Sequence, residues 1–120
     1  MAHYIDGFVI HLPKKNGNAY RRVAQKAGKV RRDHGALEFR ECIGDDLNIK
    51  MGLPFPRGIK TRPGETVLFS YIVYKSRAHR DRVNAMVMKD PHLAKMMDAK
   101  AMPFDVKRMM YGGFKTIVEA

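Results

Sequence analysis

The chain is basic and short, with 120 residues, 45% of them hydrophobic, and a formal net charge of +11 from 23 Lys and Arg against 12 Asp and Glu. This length allows one domain, residues 1–120, and burying roughly two-thirds of the unfolded surface supplies one core. The apolar runs are far shorter than the ~20 residues that cross a bilayer, the first residues lack a leader pattern, and Cys42 is the only cysteine, which excludes an internal disulfide. We therefore expect a cytoplasmic protein.

The first part of the chain predicts a strand, a helix and a second strand. Tyr4 to Leu12 carries bulky residues on both faces of a strand. Asn18 supplies the cap of a helix that ends at Gly35, and its apolar residues recur at three- and four-residue steps. Those residues are Tyr20, Val23, Ala24, Ala27 and Val30. Leu37 to Ile43 alternates with period two and places Phe39 and Glu41 on one face.

A long connection separates these elements from a second strand–helix–strand set. Three glycines and three prolines between Gly44 and Glu65 break regular pairing. Thr66 to Tyr74 is the most β-prone run and predicts a central strand with apolar residues on both faces. Ser76 caps the second helix, and Asp90-Pro91 ends it and begins a short turn through Met97. The buried stripe of this helix is expected to be Ala78, Val83, Met86 and Val87.

The last predicted strand runs from Val106 to Val118, and the pair Gly112-Gly113 indicates a bulge or bend within it. The order of elements is then strand, helix, strand, strand, helix, strand. It predicts an α+β fold of the ferredoxin-like βαββαβ type, a four-stranded antiparallel sheet with both helices on one face. Because the third strand is apolar on both sides, the face of the sheet without helices should also be apolar. We therefore expect another copy of the chain to cover that face, which makes a homodimer.

Two stretches carry a family resemblance, Met102 to Phe114 and Tyr4 to Phe8. Together they resemble the small bacterial YbaA-like family, domain of unknown function 1428, in the dimeric α/β-barrel superfamily. Shorter agreements are Gly35-Ala36, Glu41-Cys42, Phe69-Ser70-Tyr71-Ile72, Tyr74-Lys75-Ser76, Arg80-Asp81, Asn84 and Asp90-Pro91. The chain departs from the family pattern at Tyr71, where tryptophan is more frequent, and at Val106, where glycine is more frequent. The resemblance implies a dimeric α/β barrel of two protomers and no established activity.

Polar residues on the predicted strands are the candidates for a functional site. They are Asp6, Glu41, Ser70, Arg108 and Tyr111. A covered sheet brings some of them into a mostly apolar cavity enclosed by the paired sheets, where buried carboxylates act as acids or bases and Tyr and Arg orient an anionic or phenolic ligand. This pattern indicates a small aromatic or lipophilic ligand. The favoured alternative is a structural pair, for instance Asp6 with Arg108, that fixes strand register or the dimer interface.

Other chemistry finds less support in the sequence. The five histidines show no metal-ligand spacing, and no glycine-rich phosphate loop is present, so neither a metal nor a nucleotide cofactor is expected. Cys42 is expected to be a small buried filler instead of a nucleophile. Seven methionines either line an apolar pocket or pack in the core. They are Met86, Met88, Met96, Met97, Met102, Met109 and Met110.

Nucleic-acid binding is the alternative function, because a basic βαββαβ domain with aromatic residues on its sheet is how RRM domains bind RNA. The basic residues are spread over the two helices and the long connection, and we expect them to be solvated helix faces. Among them are Arg77, Arg80 and Arg82 at the start of the second helix. Gly112 to Thr116 does not match the RNP1 pattern and lies on the last strand instead of the third. RNA binding therefore stays the second hypothesis.

Overall fold

The computed structural model describes residues 2–94 and 102–120, which adopt the predicted βαββαβ order. The strands are β1 (Tyr4–Pro13), β2 (Glu38–Ile43), β3 (Glu65–Tyr74) and β4 (Met110–Lys115), and they form one antiparallel sheet in the order β2-β3-β1-β4. The helices are α1 (Gly17–Asp33), α2 (Phe55–Gly58), α3 (Arg77–Lys89) and α4 (Pro91–Ala94). No helix in the described ranges is long and apolar enough to cross a membrane.

The strand register assigns each residue to one of two faces. On β1 and β3, Asp6 lies opposite Ile72 and Phe8 opposite Ser70, and this face packs against the helices. Its core joins the sheet to α1 and α3. The buried apolar residues are Ile10, Leu12, Leu68, Ile72 and Tyr74 from the sheet, Tyr20, Ala24 and Val30 from α1, and Val83 and Val87 from α3. The α+β ferredoxin-like prediction is confirmed.

The opposite face of the sheet lies away from the core formed with α1 and α3. At one end of it the buried His11 lies 2.6 Å from the carbonyl oxygen of Ile59, the residue that follows α2. Phe69, Met110 and Phe114 lie on it with 44%, 44% and 62% of their surfaces exposed. Ile5, Val9 and Tyr71 lie beside them, half-buried. The prediction that β3 is apolar on both faces is therefore confirmed, and we call this exposed apolar surface the open face.

The ends of the helices follow the sequence signals in part. Gly35 has φ +115°, the left-handed conformation expected after α1, and the Ser76 side chain accepts a hydrogen bond from the His79 backbone N–H at 3.1 Å. The predicted cap Asn18 is wrong, because α1 begins at Gly17 and Asn16 is the cap residue. The Asn16 side chain donates to the Pro103 carbonyl at 2.9 Å, so it ties the start of α1 to the segment before β4.

The inner stripe of α3 is narrower than predicted. Val83 and Val87 are buried, but Ala78 and Met86 are exposed, Met86 with 43% of its surface. Arg80, three residues before Val83, takes the inward position that the prediction gave to Ala78. α4 ends at Ala94, and the rest of the turn predicted through Met97 lies outside the described residues.

The last strand is shorter than predicted and has no bulge. Val106–Arg108 forms a 3-10 turn instead of the strand start, because the Asp105 side chain caps the Lys107 N–H at 3.1 Å. β4 then pairs with β1 without interruption from Val9–Met110 to Tyr4–Lys115. Gly113 instead gives room to an aromatic ring. A Cβ at Gly113 would overlap the Tyr4 hydroxyl, so glycine is required there by packing.

Candidate functional site

A cavity of about 530 Å³ lies between the helix side of the sheet and the helices. Its polar lining consists of Asp6, Tyr20, Arg31, Glu41, Ser70, Asn84 and Tyr111. Its apolar lining includes Phe8, Ile10, Ala27, Phe39, Ile72, Val87, Leu93 and Phe104, together with Met88, Met102 and Met109. The cavity therefore lies within a single chain, whereas the sequence analysis placed it between the paired sheets of two chains. The reason is register, since Asp6, Glu41, Ser70 and Tyr111 all face the helices.

Asp6 is the most buried polar residue of the sheet, with 1% of its surface exposed, and Arg80 of α3 is its partner. Arg80 Nη1 lies 3.0 Å from Asp6 Oδ1 and donates to the Tyr111 hydroxyl at 3.0 Å. Arg80 Nη2 donates to the Tyr4 hydroxyl at 3.3 Å, and the guanidinium lies 5.0 Å from the Tyr4 ring centroid. Burial raises the pKa of Asp6 above its usual value, although the Arg80 charge and the Tyr111 hydroxyl oppose this shift.

Glu41 is the second carboxyl group of the cavity and lies on β2. It accepts a hydrogen bond from the Tyr20 hydroxyl at 2.7 Å. Burial raises the pKa of Glu41, and hydrogen bonds from Tyr20 and Ser70 and the charge of Arg31 oppose the rise. Burial and the neighbouring Glu41 also raise the pKa of Tyr20. The cavity thus contains two carboxyl groups that hold a proton more readily than exposed ones.

Arg31 and Asn84 are cavity residues that the sequence analysis missed. Arg31 Nη1 donates to Asn84 Oδ1 at 2.9 Å, and the Tyr74 hydroxyl donates to the same oxygen at 3.4 Å. Arg31 and Arg80 both follow the helical period of the inward-facing residues on their helices. Arg31 is four residues after Ala27 on the inner stripe of α1, and Arg80 precedes Val83 on that of α3.

Tyr111 stacks on Phe8, with ring centroids 4.6 Å apart and ring planes 13° apart. The two residues are direct neighbours in the pairing of β1 with β4, so the stack follows from the register. It forms a flat aromatic wall beside the Asp6–Arg80 pair. Of the candidate residues, Asp6, Glu41, Ser70 and Tyr111 are therefore brought to one cavity.

Arg108 lies elsewhere, and the predicted pair of Asp6 with Arg108 is wrong. Arg108 precedes β4 in the 3-10 turn and pairs with Glu65 at the start of β3, at Nη1–Oε2 2.6 Å and Nη2–Oε1 3.0 Å. The hydrogen bonds from Arg108 lower the pKa of Glu65 to about 2. This two-point ion pair anchors the turn to the sheet, and Arg108 is not among the residues that line the cavity.

A second concave surface, of about 810 Å³, lies between α1 and β2 and is more open. It shares Tyr20, Phe39 and Glu41 with the cavity. Two ion pairs lie along its rim, with Lys29 Nζ 2.8 Å from Asp33 and Arg40 3.2 Å from Glu38. The buried polar groups lie in the smaller, more enclosed cavity, which we therefore take as the candidate site. Cys42 is exposed on the open face, so the expectation of a buried filler is wrong.

Comparison with known proteins gives relatives along nearly the whole chain. A family profile described as a protein of unknown function (DUF1428) matches residues 3–106. The uncharacterized protein YbaA of Escherichia coli (strain K12) is 39% identical over 116 residues, which cover 97% of this chain and 97% of that protein. YbaA of Shigella flexneri matches to the same extent. A crystal structure of a dimeric ferredoxin-like protein from an uncultured marine organism matches with TM-score 0.58 and 10% identity, over 100% of both chains, which supports the fold alone.

Substitution Arg80→Met is expected to lower the free energy of unfolding at pH 7 by about 3 kcal/mol, because it leaves the Asp6 carboxylate buried without its counter-ion. The loss should shrink as the pH is lowered from 7, because the raised pKa of Asp6 allows the buried carboxylate to take up a proton. Urea unfolding measures both effects. Arg82→Met, an exposed change on the same helix, is the control. If the double variant Asp6→Asn/Arg80→Met is no more stable than Arg80→Met alone, this explanation is wrong.

Substitution Glu65→Gln is expected to lower the free energy of unfolding at pH 7 by about 2 kcal/mol, because it removes the charge-assisted pair with Arg108. The folded pKa of Glu65 is about 2 against an ordinary 4.5. Its contribution is therefore complete above pH 4.5 and is lost as the pH falls toward 2, so the variant and the unmodified protein should converge in acid. Glu38→Gln, at the exposed Arg40 pair, should change little. A difference that stays constant from pH 7 to 2.5 would contradict the assignment.

Proposed function

The chain belongs to the DUF1428 family, and on this premise we propose that it is a homodimer in which the cavity of each protomer binds a small aromatic or lipophilic molecule. The description of the family assigns no activity. The proposal therefore rests on one observation above all. A mostly apolar cavity of about 530 Å³ contains a few buried polar groups that converge from several strands and from α1.

The cavity lining suits an apolar body with a polar end. The stacked rings of Phe8 and Tyr111 offer a flat surface for an aromatic group, and Met88, Met102 and Met109 are adaptable side chains. Asp6, Glu41, Ser70 and Tyr111 supply hydrogen bonds. Of these, Asp6 and Glu41 are the groups we propose for proton transfer if the bound molecule reacts, because both have raised pKa values.

The open face supports the homodimer. Phe69, Met110 and Phe114 are exposed there beside Ile5 and Val9, and soluble monomers rarely keep so continuous an apolar surface in water. The solved structure with the same fold is described as dimeric. The exposed free thiol of Cys42 suits a reducing compartment, which supports a cytoplasmic location.

The RNA alternative draws support from the exposed rings of Phe69 and Phe114, which resemble a base-stacking surface. The charge distribution favours a second copy of the chain instead. Beside those rings the central strands present the apolar and aromatic residues Ile5, Val9 and Tyr71, and the neighbouring cation on β2, Arg40, is paired with Glu38 at 3.2 Å. The basic side chains of α1 lie on the helix layer, on the other side of the molecule.

Binding of an apolar molecule in the cavity can be tested with the neutral fluorescent probe N-phenyl-1-naphthylamine. We expect the folded protein to bind this probe, and the substitution Ala27→Leu, which fills part of the cavity, to weaken binding about tenfold. Ala85→Leu, an exposed change on α3, is the matched control. Circular dichroism verifies that each variant is folded. Absence of probe binding by the unmodified protein would contradict the proposal.

Dimerisation through the open face can be tested by a substitution at its centre. Because Phe69 occurs twice in a symmetric interface, Phe69→Glu is expected to weaken dimerisation about a hundredfold. Met86→Glu is the control, because Met86 has nearly the same exposure but lies on α3, in the helix layer. Sedimentation velocity over a dilution series measures the mass. Equal dissociation constants for the two variants would show that the open face is not the interface.

A further inference from the structure

This inference rests on the proposed ligand binding and makes it more specific. We propose that the ligand is an organic carboxylate whose head binds Arg31 and Asn84, while its apolar body fills the rest of the cavity. The assignment depends on which polar groups of the cavity already have partners and which retain donors directed at the space.

The two arginines next to the cavity differ in their partners. Arg80 lies 3.0 Å from the Asp6 carboxylate and 2.9 Å from Asp81, so its charge is balanced. Arg31 lines the cavity, and among residues 2–94 and 102–120 it takes part in no ion pair. Toward the described residues, Arg31 gives one of its five N–H donors to Asn84. A half-buried guanidinium with donors to spare is a binding group for a carboxylate.

Asn84 adds donors next to this guanidinium. Its Oδ1 accepts hydrogen bonds from Arg31 at 2.9 Å and from the Tyr74 hydroxyl at 3.4 Å. These two donors fix the orientation of the amide, because its oxygen must face them and its NH₂ group must face away. Arg31 and Asn84 line the same cavity from α1 and α3, and the amide NH₂ of Asn84 lies on the side away from its two donors. The two oxygens of a carboxylate can accept hydrogen bonds from both Arg31 and Asn84.

The carboxyl groups already present do not oppose an anion strongly. The negative charge of Asp6 is balanced by Arg80. Glu41 is held by the Tyr20 hydroxyl and by Ser70, and its burial favours the protonated form. A bound carboxylate would therefore complete the pairing of Arg31 instead of adding an unbalanced negative charge to the cavity.

The experiment compares decanoate with decan-1-ol, which have the same chain length and differ in the charged head. Both compete with N-phenyl-1-naphthylamine, and isothermal titration verifies the affinities. In the unmodified protein decanoate is expected to bind at least about tenfold more tightly than the alcohol. Arg31→Met should remove the difference between the affinities of decanoate and the alcohol measured in the same variant, and Arg31→Lys should restore part of that difference. Arg22→Met, an exposed change on α1, is the control.

The outcomes separate the two proposals. If the probe binds but decanoate and the alcohol compete equally, or if Arg31→Met and Arg22→Met behave alike, the carboxylate assignment is overturned and small-molecule binding stands. If neither the probe nor either competitor binds the folded protein, the proposed function fails, and this inference fails with it.

Discussion

The two central strands, β1 and β3, carry apolar side chains on both faces, and the architecture depends on how each face is kept from water. On one face α1 and α3 bury Ile72, Leu68 and Ile10. On the other face Phe69 stays exposed next to half-buried Val9, and the described residues contain no element that covers them. Because burial of apolar area is the main favourable term in folding and association, the second face is where a partner gains most.

The most buried carboxylate between the sheet and the helices, that of Asp6, belongs to a connected set of polar and aromatic groups. Asp6 on β1 requires Arg80, Arg80 orients the hydroxyls of Tyr4 and Tyr111, and the Tyr4 ring requires that residue 113 be glycine. A change at one position of this set therefore leaves a buried donor or acceptor without its partner at another. The cavity lies beside this set, so the groups that stabilise the core also shape the space that we propose as a binding site.

The positions of strands could be predicted closely, because alternation with period two marks residues that face opposite sides. β1 and β3 differ from the predicted ranges by a single residue at one end. Elements without such a period were harder to predict from the sequence. The 3-10 turn at Val106–Arg108 depends on the Asp105 cap and on Glu65, which is distant in sequence, so the strand pattern extended too far.

The sequence predicts which strand residues share the face of the candidate site, but it does not predict which helix residues contact them. Asp6, Glu41, Ser70 and Tyr111 share a face because the register places them there. Their cationic neighbours, Arg80 and Arg31, come from helices with many arginines, and composition alone gives no reason to prefer one over another. Their position on the apolar stripes was the available signal. The glycine pair in β4 was misread as a bulge or bend because the ring that needs the room at Gly113, that of Tyr4, comes from a distant sequence position.

The most direct test of the central claim compares two methionines of nearly equal exposure in the single chain, Met110 on the open face with 44% and Met86 on α3 with 43%. Thioether oxidation by peroxide follows exposure to solvent, and mass spectrometry measures it residue by residue. With the protein at micromolar concentration, Met110 should oxidise several-fold more slowly than Met86, and the difference should vanish on dilution. Equal rates for the two residues at every concentration would contradict the account.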